Sequence, residues 1–191
     1  LTKPFEMART DVSPFNFRGE ANYQINNFDQ ALADYDQAIK LDPNDPIKYE
    51  NRALAKNAKE DFKGALDDFT KAIELSPDDP ELYNLRGVVK YRMEDLDGSI
   101  DDYTKAIDLD DTNPVYYDNR GQSKMEKENF AGAIEDFSSS IELYPNDPET
   151  FYQRGLAKMN LNNQYDACLD FKRAEEMGSD DAKSAIRKNC K

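Results

Sequence analysis

The sequence contains no histidine and no tryptophan, and it has only two cysteines among its 191 residues. Without histidine, catalytic and metal-binding schemes that depend on an imidazole are excluded. The sequence also has no phosphate-binding loop, dinucleotide fingerprint, nucleophile elbow or C-x-x-C pair. We therefore expect a protein that is not an enzyme and that carries no metal or other cofactor.

Long apolar runs are missing as well, and the mean hydropathy is −0.91. No run approaches the roughly 18 apolar residues of a membrane-spanning helix, so we expect no membrane insertion. Basic residues are few, since 25 Lys and Arg face 39 Asp and Glu, which gives a net charge of −14. A charge of this sign disfavours nucleic acid and anionic membranes as partners and favours basic protein surfaces.

The feature that is present is a period of 34 residues. Two residue types follow this period through the whole chain, and a fixed period of this size is typical of stacked repeat arrays. The two series are Arg18, Arg52, Arg86, Arg120 and Arg154, and Asp34, Asp68, Asp102, Asp136 and Asp170. We call these ten residues the arginine–aspartate ladder.

Each period predicts two helices. In the second period, Asp45 followed by Pro46 is typical of a helix start, with an N-cap acceptor and proline at the first helical position. Small residues at unit position 8 and an apolar stripe at positions 20, 24 and 27 have helical spacing. Pro77 ends the second helix of this unit because proline cannot continue a helix.

The sequence therefore predicts an all-α, right-handed α-solenoid of five helix-turn-helix units followed by a C-terminal capping helix. A single helix pair has too little core to be stable alone, so neighbouring units are expected to stack. The predicted segments are a lead-in at 1–11, units at 12–45, 46–79, 80–113, 114–147 and 148–181, and the capping helix at 182–191.

The pattern of small residues at positions 8, 20 and 27, aromatics at 4 and 24, and proline at 32 resembles the tetratricopeptide repeat. The stretch "YNLRGVVKYRMEDLDGSIDDYTKAIDLD" is similar to bacterial members of that family. The resemblance implies a concave face lined by the first helices, which binds an extended peptide or a helix of a partner protein. It implies these partner-binding residues: Asn16, Phe17, Asn51, Leu54, Asn84, Leu85, Val88, Asn119, Gln122, Tyr152 and Gln153.

The arginine–aspartate ladder has two interpretations. In an antiparallel helix pair, unit positions 7 and 23 lie at the same height, so each arginine can face the aspartate 16 residues later. One interpretation is a structural series of bidentate ion pairs between helices. The other is a groove of arginines that binds anions, which requires that the aspartates leave the arginines unsatisfied.

The two cysteines also leave alternatives open. Cys168 replaces an aliphatic residue of the earlier units, and Cys190 falls on the apolar face of the predicted capping helix. They form either a disulfide or two buried thiols. A disulfide would indicate a periplasmic or secreted protein, and buried thiols would suit the cytoplasm.

Two functional hypotheses remain from the sequence. The first is a non-enzymatic scaffold that binds a partner segment, either protein or peptide, in the concave groove. The alternative is a structural or self-assembly module within a larger protein or complex, so a homo-oligomer is a possible state.

Overall fold

The computed structural model describes residues 14–190, and within this range the chain forms eleven helices and no strand. The predicted lead-in at 1–11 lies outside the described residues. Five helix pairs are followed by one final helix. The helices are α1 Pro14–Gln24, α2 Phe28–Leu41, α3 Pro46–Ala58, α4 Phe62–Leu75, α5 Pro80–Arg92, α6 Leu96–Leu109, α7 Pro114–Glu126, α8 Phe130–Leu143, α9 Pro148–Asn160, α10 Gln164–Glu176 and α11 Asp180–Asn189.

Side-chain caps explain where the first helices of the second to fifth pairs begin. The Asp45 carboxylate accepts a hydrogen bond of 3.0 Å from the backbone N–H of Ile47, and Pro46 occupies the first position of α3. The same arrangement begins α5, α7 and α9. These caps satisfy backbone donors that the first turn of a helix leaves without a partner.

A left-handed residue joins the two helices of each pair. Glu60, Glu94 and Glu128 have φ angles of 63°, 62° and 59°, and asparagines take the same place in the first and fifth pairs. A glutamate in this conformation costs roughly 1 kcal/mol because its Cβ crowds the backbone. The turn geometry is therefore kept even where the residue type does not favour it.

The core follows the small and aromatic positions of the repeat. Gly121 packs directly on Phe137, and a Cβ on Gly121 would lie 2.8 Å from the ring. Phe137 is 1% exposed. Every alanine at stripe positions 20 and 27 of the repeats is also fully buried. The small residue at position 8 is thus required for the close approach of the paired helices.

The chain divides into two compact units, one ending at Ser76 and one beginning at Pro77. In the first unit, α1 packs on α2, α2 on α3, and α3 on α4. In the second unit, each helix from α5 to α11 packs on the next one in the chain. Consecutive packing of helix pairs confirms the predicted all-α solenoid fold.

The start of the last helix differs from the prediction of 182. The structure begins α11 at Asp180, because the Ser179 hydroxyl accepts a hydrogen bond of 3.2 Å from the backbone N–H of Ala182 and caps the helix. Ala182 is fully buried and joins α11 to the core formed by Phe151, Phe171 and their neighbours. Over residues 14–190, none of the helices is both long and apolar enough to cross a membrane.

Candidate functional site

The structure pairs every arginine of the ladder with the aspartate 16 residues later. The Nε atom donates over 2.8–3.0 Å to one carboxylate oxygen, and the Nη2 atom donates over 2.5–2.7 Å to the other. The contact is therefore bidentate in all five repeats, which is a strong geometry for an ion pair. The carboxylates are almost completely buried, with 2–6% of each side chain exposed.

In repeats two to five, a lysine also binds the aspartate of the ladder. Lys124 donates to Asp136 over 2.7 Å, and Lys56, Lys90 and Lys158 make the same contact. The first repeat has Asn22 at this place, whose amide donates to Asp34 over 3.1 Å. The hydrogen bond from Arg18 holds the pKa of the Asp34 carboxyl below its ordinary value.

Several arginines also reach the preceding repeat. The Nη1 atom of Arg52 donates to Asp36 over 2.7 Å. The same atom of Arg120 donates to Thr104, and that of Arg154 donates to Ser138, each over 3.1 Å. These guanidinium groups thus connect a helix pair to itself and to the pair before it. These contacts hold neighbouring helix pairs together. The guanidinium donors are hydrogen-bonded to protein acceptors and are therefore not available to bind an anion.

The predicted partner-binding asparagines contact one another. The Asn51 amide donates to Asn16 over 3.2 Å within the first unit. The Asn119 amide donates to Asn84 over 2.8 Å within the second, and the Asn84 amide donates to Glu81. Asn84 is only 5% exposed, and its assignment as a partner-binding residue stays a prediction. Its burial and the hydrogen bond from Asn119 show that it takes part in the packing of α5 against α7.

Tyr152 lies where the capping helix closes the last repeat. Its ring is 5.8 Å from that of Phe171, and it packs against the cluster that includes Ala182 of α11. Gln153 on the same helix donates to Glu149 over 2.6 Å. The fifth repeat therefore uses part of its predicted binding face for its own packing.

The remaining predicted residues are more accessible. Leu85, Val88 and Gln122 are half-buried on α5 and α7, which are neighbouring first helices of the second unit. We call these three residues the first-helix face. In the first unit, Leu54 is half-buried and Phe17 is 55% exposed.

The sequence did not indicate that Asp118, on α7, is a buried carboxyl with a raised pKa. Its carboxylate accepts a hydrogen bond of 3.1 Å from the Thr150 hydroxyl of α9. Burial raises the pKa of Asp118 from 3.8 to about 6, although hydrogen bonds from Ser140 and Thr150 oppose the shift. The other units have Asn, Glu or Tyr at this position, so only the three-dimensional neighbours distinguish this carboxyl.

Cys168 and Cys190 form a disulfide between α10 and the end of α11. The bond forms one wall of a surface pocket of about 400 Å³, whose other walls include Tyr165, Leu169 and Lys172. Among residues 14–190, no group of three or more His, Cys, Asp or Glu side chains is arranged to hold a metal ion.

Comparison with known proteins is consistent with this architecture. Two family models described as tetratricopeptide repeat match residues 19–85 and 80–113. Comparison with curated protein sequences found no match.

Similar solved structures include a crystal structure of MamA, with 22% identity and a TM-score of 0.80 over 86% of this chain and 96% of that chain. A crystal structure of YrrB, described as a TPR protein with an unusual peptide-binding site, has 22% identity and a TM-score of 0.78 over 93% and 92% of the two chains. PilF of Pseudomonas aeruginosa has 19% identity and a TM-score of 0.78 over 90% and 78%. At these identities the structures establish the fold, and with the family models they confirm the predicted family. The chain belongs to the tetratricopeptide repeat family.

Proposed function

We propose that this chain is a non-enzymatic scaffold that binds a segment of a partner protein on the first-helix face of its second unit. The observation that carries the proposal is the contrast between two sets of positions. The arginine–aspartate ladder has the same two residue types in every repeat, and each of its arginines is paired with its own aspartate. Leu85, Val88 and Gln122 differ from their counterparts in the other repeats and are half-buried on adjacent helices.

The chemistry of this face favours an apolar segment with an exposed backbone. Leu85 and Val88 offer aliphatic contact, and the Gln122 amide can donate to and accept from a peptide backbone. The net charge of −14 favours a partner that carries basic residues around that apolar segment. A partner of this kind would be an extended peptide or one face of an amphipathic helix.

The proposal is tested with peptides selected for binding to the wild-type chain from a random peptide library. We expect the double substitution Leu85→Asp and Val88→Asp to weaken these peptides by about tenfold or more, because a buried contact would then face a charge. Isothermal titration calorimetry measures the affinity, and circular dichroism verifies that the variant is folded.

Leu143→Asp provides the matched control, because Leu143 is an aliphatic residue that is 41% exposed at the end of α8. This control should bind the selected peptides as the wild type does. Equal binding by the double variant would reject the first-helix face as the site. Failure to select any peptide, together with concentration-dependent oligomers in light scattering, would favour the self-assembly alternative.

We also propose that the protein works in an oxidising compartment, that is, a periplasmic or extracellular one. The Cys168–Cys190 disulfide supports this, because such bonds are stable chiefly outside the reducing cytosol. Alkylation of cell extracts without reductant, followed by mass spectrometry, tests it. Two alkylated cysteines would contradict the proposal.

A further inference from the structure

The outer surface of α10 differs from that of the other second helices. Tyr165 is 76% exposed and Leu169 is 48% exposed, and their spacing of four residues places them on one side of the helix. The earlier repeats carry charged or small residues at the same two positions. These are Asp29, Lys63, Asp97 and Ala131 at position 18, and Ala33, Asp67, Asp101 and Glu135 at position 22. The fifth repeat therefore presents an apolar pair where the others are polar or small.

The last helix, α11, leaves this surface uncovered. At two earlier interfaces, the residue that ends a first helix reaches position 18 of the repeat before it: Lys59 binds Asp29, and Lys127 binds Asp97. The helices α3 and α7 that precede these lysines have 13 residues each, whereas α11 has 10. Because α11 is shorter, it does not cover Tyr165 as the earlier helices cover position 18.

The uncovered surface and the disulfide together form the pocket of about 400 Å³. Its described lining residues are Gln164, Tyr165, Cys168, Leu169, Lys172 and Cys190, and we call it the disulfide pocket. The volume lies near the lower end of the range of about 300–1,000 Å³ for ligand sites. A stable dimer contact needs about 20–30 residues from each partner. The pocket therefore suits one or two side chains of a bound segment better than the surface of a second subunit.

Lys172 determines the charge of the disulfide pocket. It is the only charged side chain among the described residues that line the pocket, and its ammonium makes no ion pair or hydrogen bond within 14–190. At the same position in other repeats, Asp36, Thr104 and Ser138 accept a hydrogen bond from the arginine of the next repeat. In the last repeat a cationic donor thus replaces an acceptor. The pocket therefore favours an anionic group beside an apolar side chain.

We propose that the disulfide pocket binds an acidic segment of a partner protein, in which an apolar side chain is followed by a carboxylate. The apolar side chain packs between Tyr165 and Leu169, and the carboxylate binds the Lys172 ammonium. This site lies on α10 and α11, whereas the first-helix face lies on α5 and α7. The two sites also differ in charge preference, because the first-helix face favours basic residues around its apolar segment and the disulfide pocket favours acidic ones.

Two blocked pentapeptides, acetyl-GFDEG-amide and acetyl-GFKKG-amide, test the charge preference in the full chain. They share one aromatic residue and differ in the charge beside it. We expect the acidic peptide to shift the amide NMR signals of Tyr165 and Leu169 and to bind there about fivefold more tightly than the basic one. The net charge of −14 favours the basic peptide over the surface as a whole, so the opposite preference is specific to this pocket.

Two variants use residues that other repeats carry at the same positions, so the helix should tolerate them. Leu169→Asp, with the residue type of Asp101, should weaken the acidic peptide by about tenfold, because the apolar contact is replaced by a like charge. Lys172→Thr, with the residue type of Thr104, should remove the preference for the acidic peptide. Lys183→Thr is the matched control, because it removes an exposed lysine of α11 that does not line the pocket.

Three results would overturn the proposal. The first is equal or tighter binding of the basic peptide at α10, and the second is the absence of any shift of the α10 signals at millimolar peptide. The third is a shift of these signals when the protein alone is concentrated, because the occupant would then be a second copy of the chain. The double variant Leu85→Asp and Val88→Asp should bind the acidic peptide as the wild type does, so failure of one site is distinguished from failure of the other.

Discussion

The first and fourth repeats contain the same arginine–aspartate pair in very different surroundings. In the fourth, Arg120 and Lys124 both bind Asp136, and the arginine also reaches Thr104 of the preceding helix. In the first, Arg18 is largely exposed, and Asn22 replaces the lysine beside Asp34. One sequence ladder therefore contains both a buried network and a partly solvated pair, which differ in energy.

The largest expected effect comes from removing an interior aspartate. Asp136→Ala leaves Arg120 and Lys124 without their carboxylate, and we expect it to lower the free energy of unfolding by about 3 to 5 kcal/mol. Urea denaturation followed by circular dichroism measures this. Asp34→Ala should cost clearly less, because Arg18 can be hydrated. Equal losses of unfolding free energy in Asp136→Ala and Asp34→Ala would contradict the difference between the two repeats. Glu135→Ala is the control, because Glu135 is exposed and lies next to Asp136.

The disulfide lies at the C-terminal end of the described chain, so removing it should affect that end and leave α1 unchanged. The Cys168→Ser and Cys190→Ser double variant opens a loop with a sequence separation of 22 residues. We expect the last repeat and α11 to lose about 2 to 3 kcal/mol of stability, since the unfolded segment is no longer constrained. Hydrogen exchange of the buried Ala182 amide measures the loss. A change in α1 of equal size would contradict a local role for the bond.

Asp118 tests whether a buried carboxylate in an interior repeat lowers the stability of the folded state. Because its folded pKa of about 6 is above the unfolded value of 3.8, the folded state binds more protons between these values. Its contribution to stability is therefore present below pH 3.8 and is lost as the pH rises through 6.

We expect Asp118→Asn to stabilise the protein by about 1 to 2 kcal/mol at pH 8, allowing for partial exposure of the group. The gain should vanish below the unfolded pKa. Thermal melts across this pH range measure it, and the exposed Asp111→Asn is the control. A gain that is independent of pH would reject the burial of the carboxyl as its cause.

The smallest expected effect concerns a feature that all repeats share. Glu94→Gly should stabilise the turn between α5 and α6 by about 0.5 to 1 kcal/mol, because glycine adopts the positive φ angle without crowding. Chemical denaturation measures the change. The nearby Met93→Gly should be destabilising, since Met93 has a negative φ angle of −88°.

The periodic features of this structure could be predicted from the sequence, and the aperiodic ones could not. Helix starts at Pro46 and its equivalents follow from local capping chemistry, which sequence displays directly. The Asn119–Asn84 bond spans 35 residues, so a search at the repeat period misses it. The state of Asp118 depends on Thr150 from another helix, and α11 is capped by Ser179, which lies three residues before the predicted start at 182.

The third contact of the interior arginines has a consequence for how the protein unfolds. A side chain that binds both its own repeat and the one before it makes the stability of each repeat depend on its neighbour. In the language of one-dimensional cooperative systems, it is a nearest-neighbour coupling term. Loss of one helix pair turns the next arginine into a copy of Arg18, so fraying within a unit makes the following repeat easier to open.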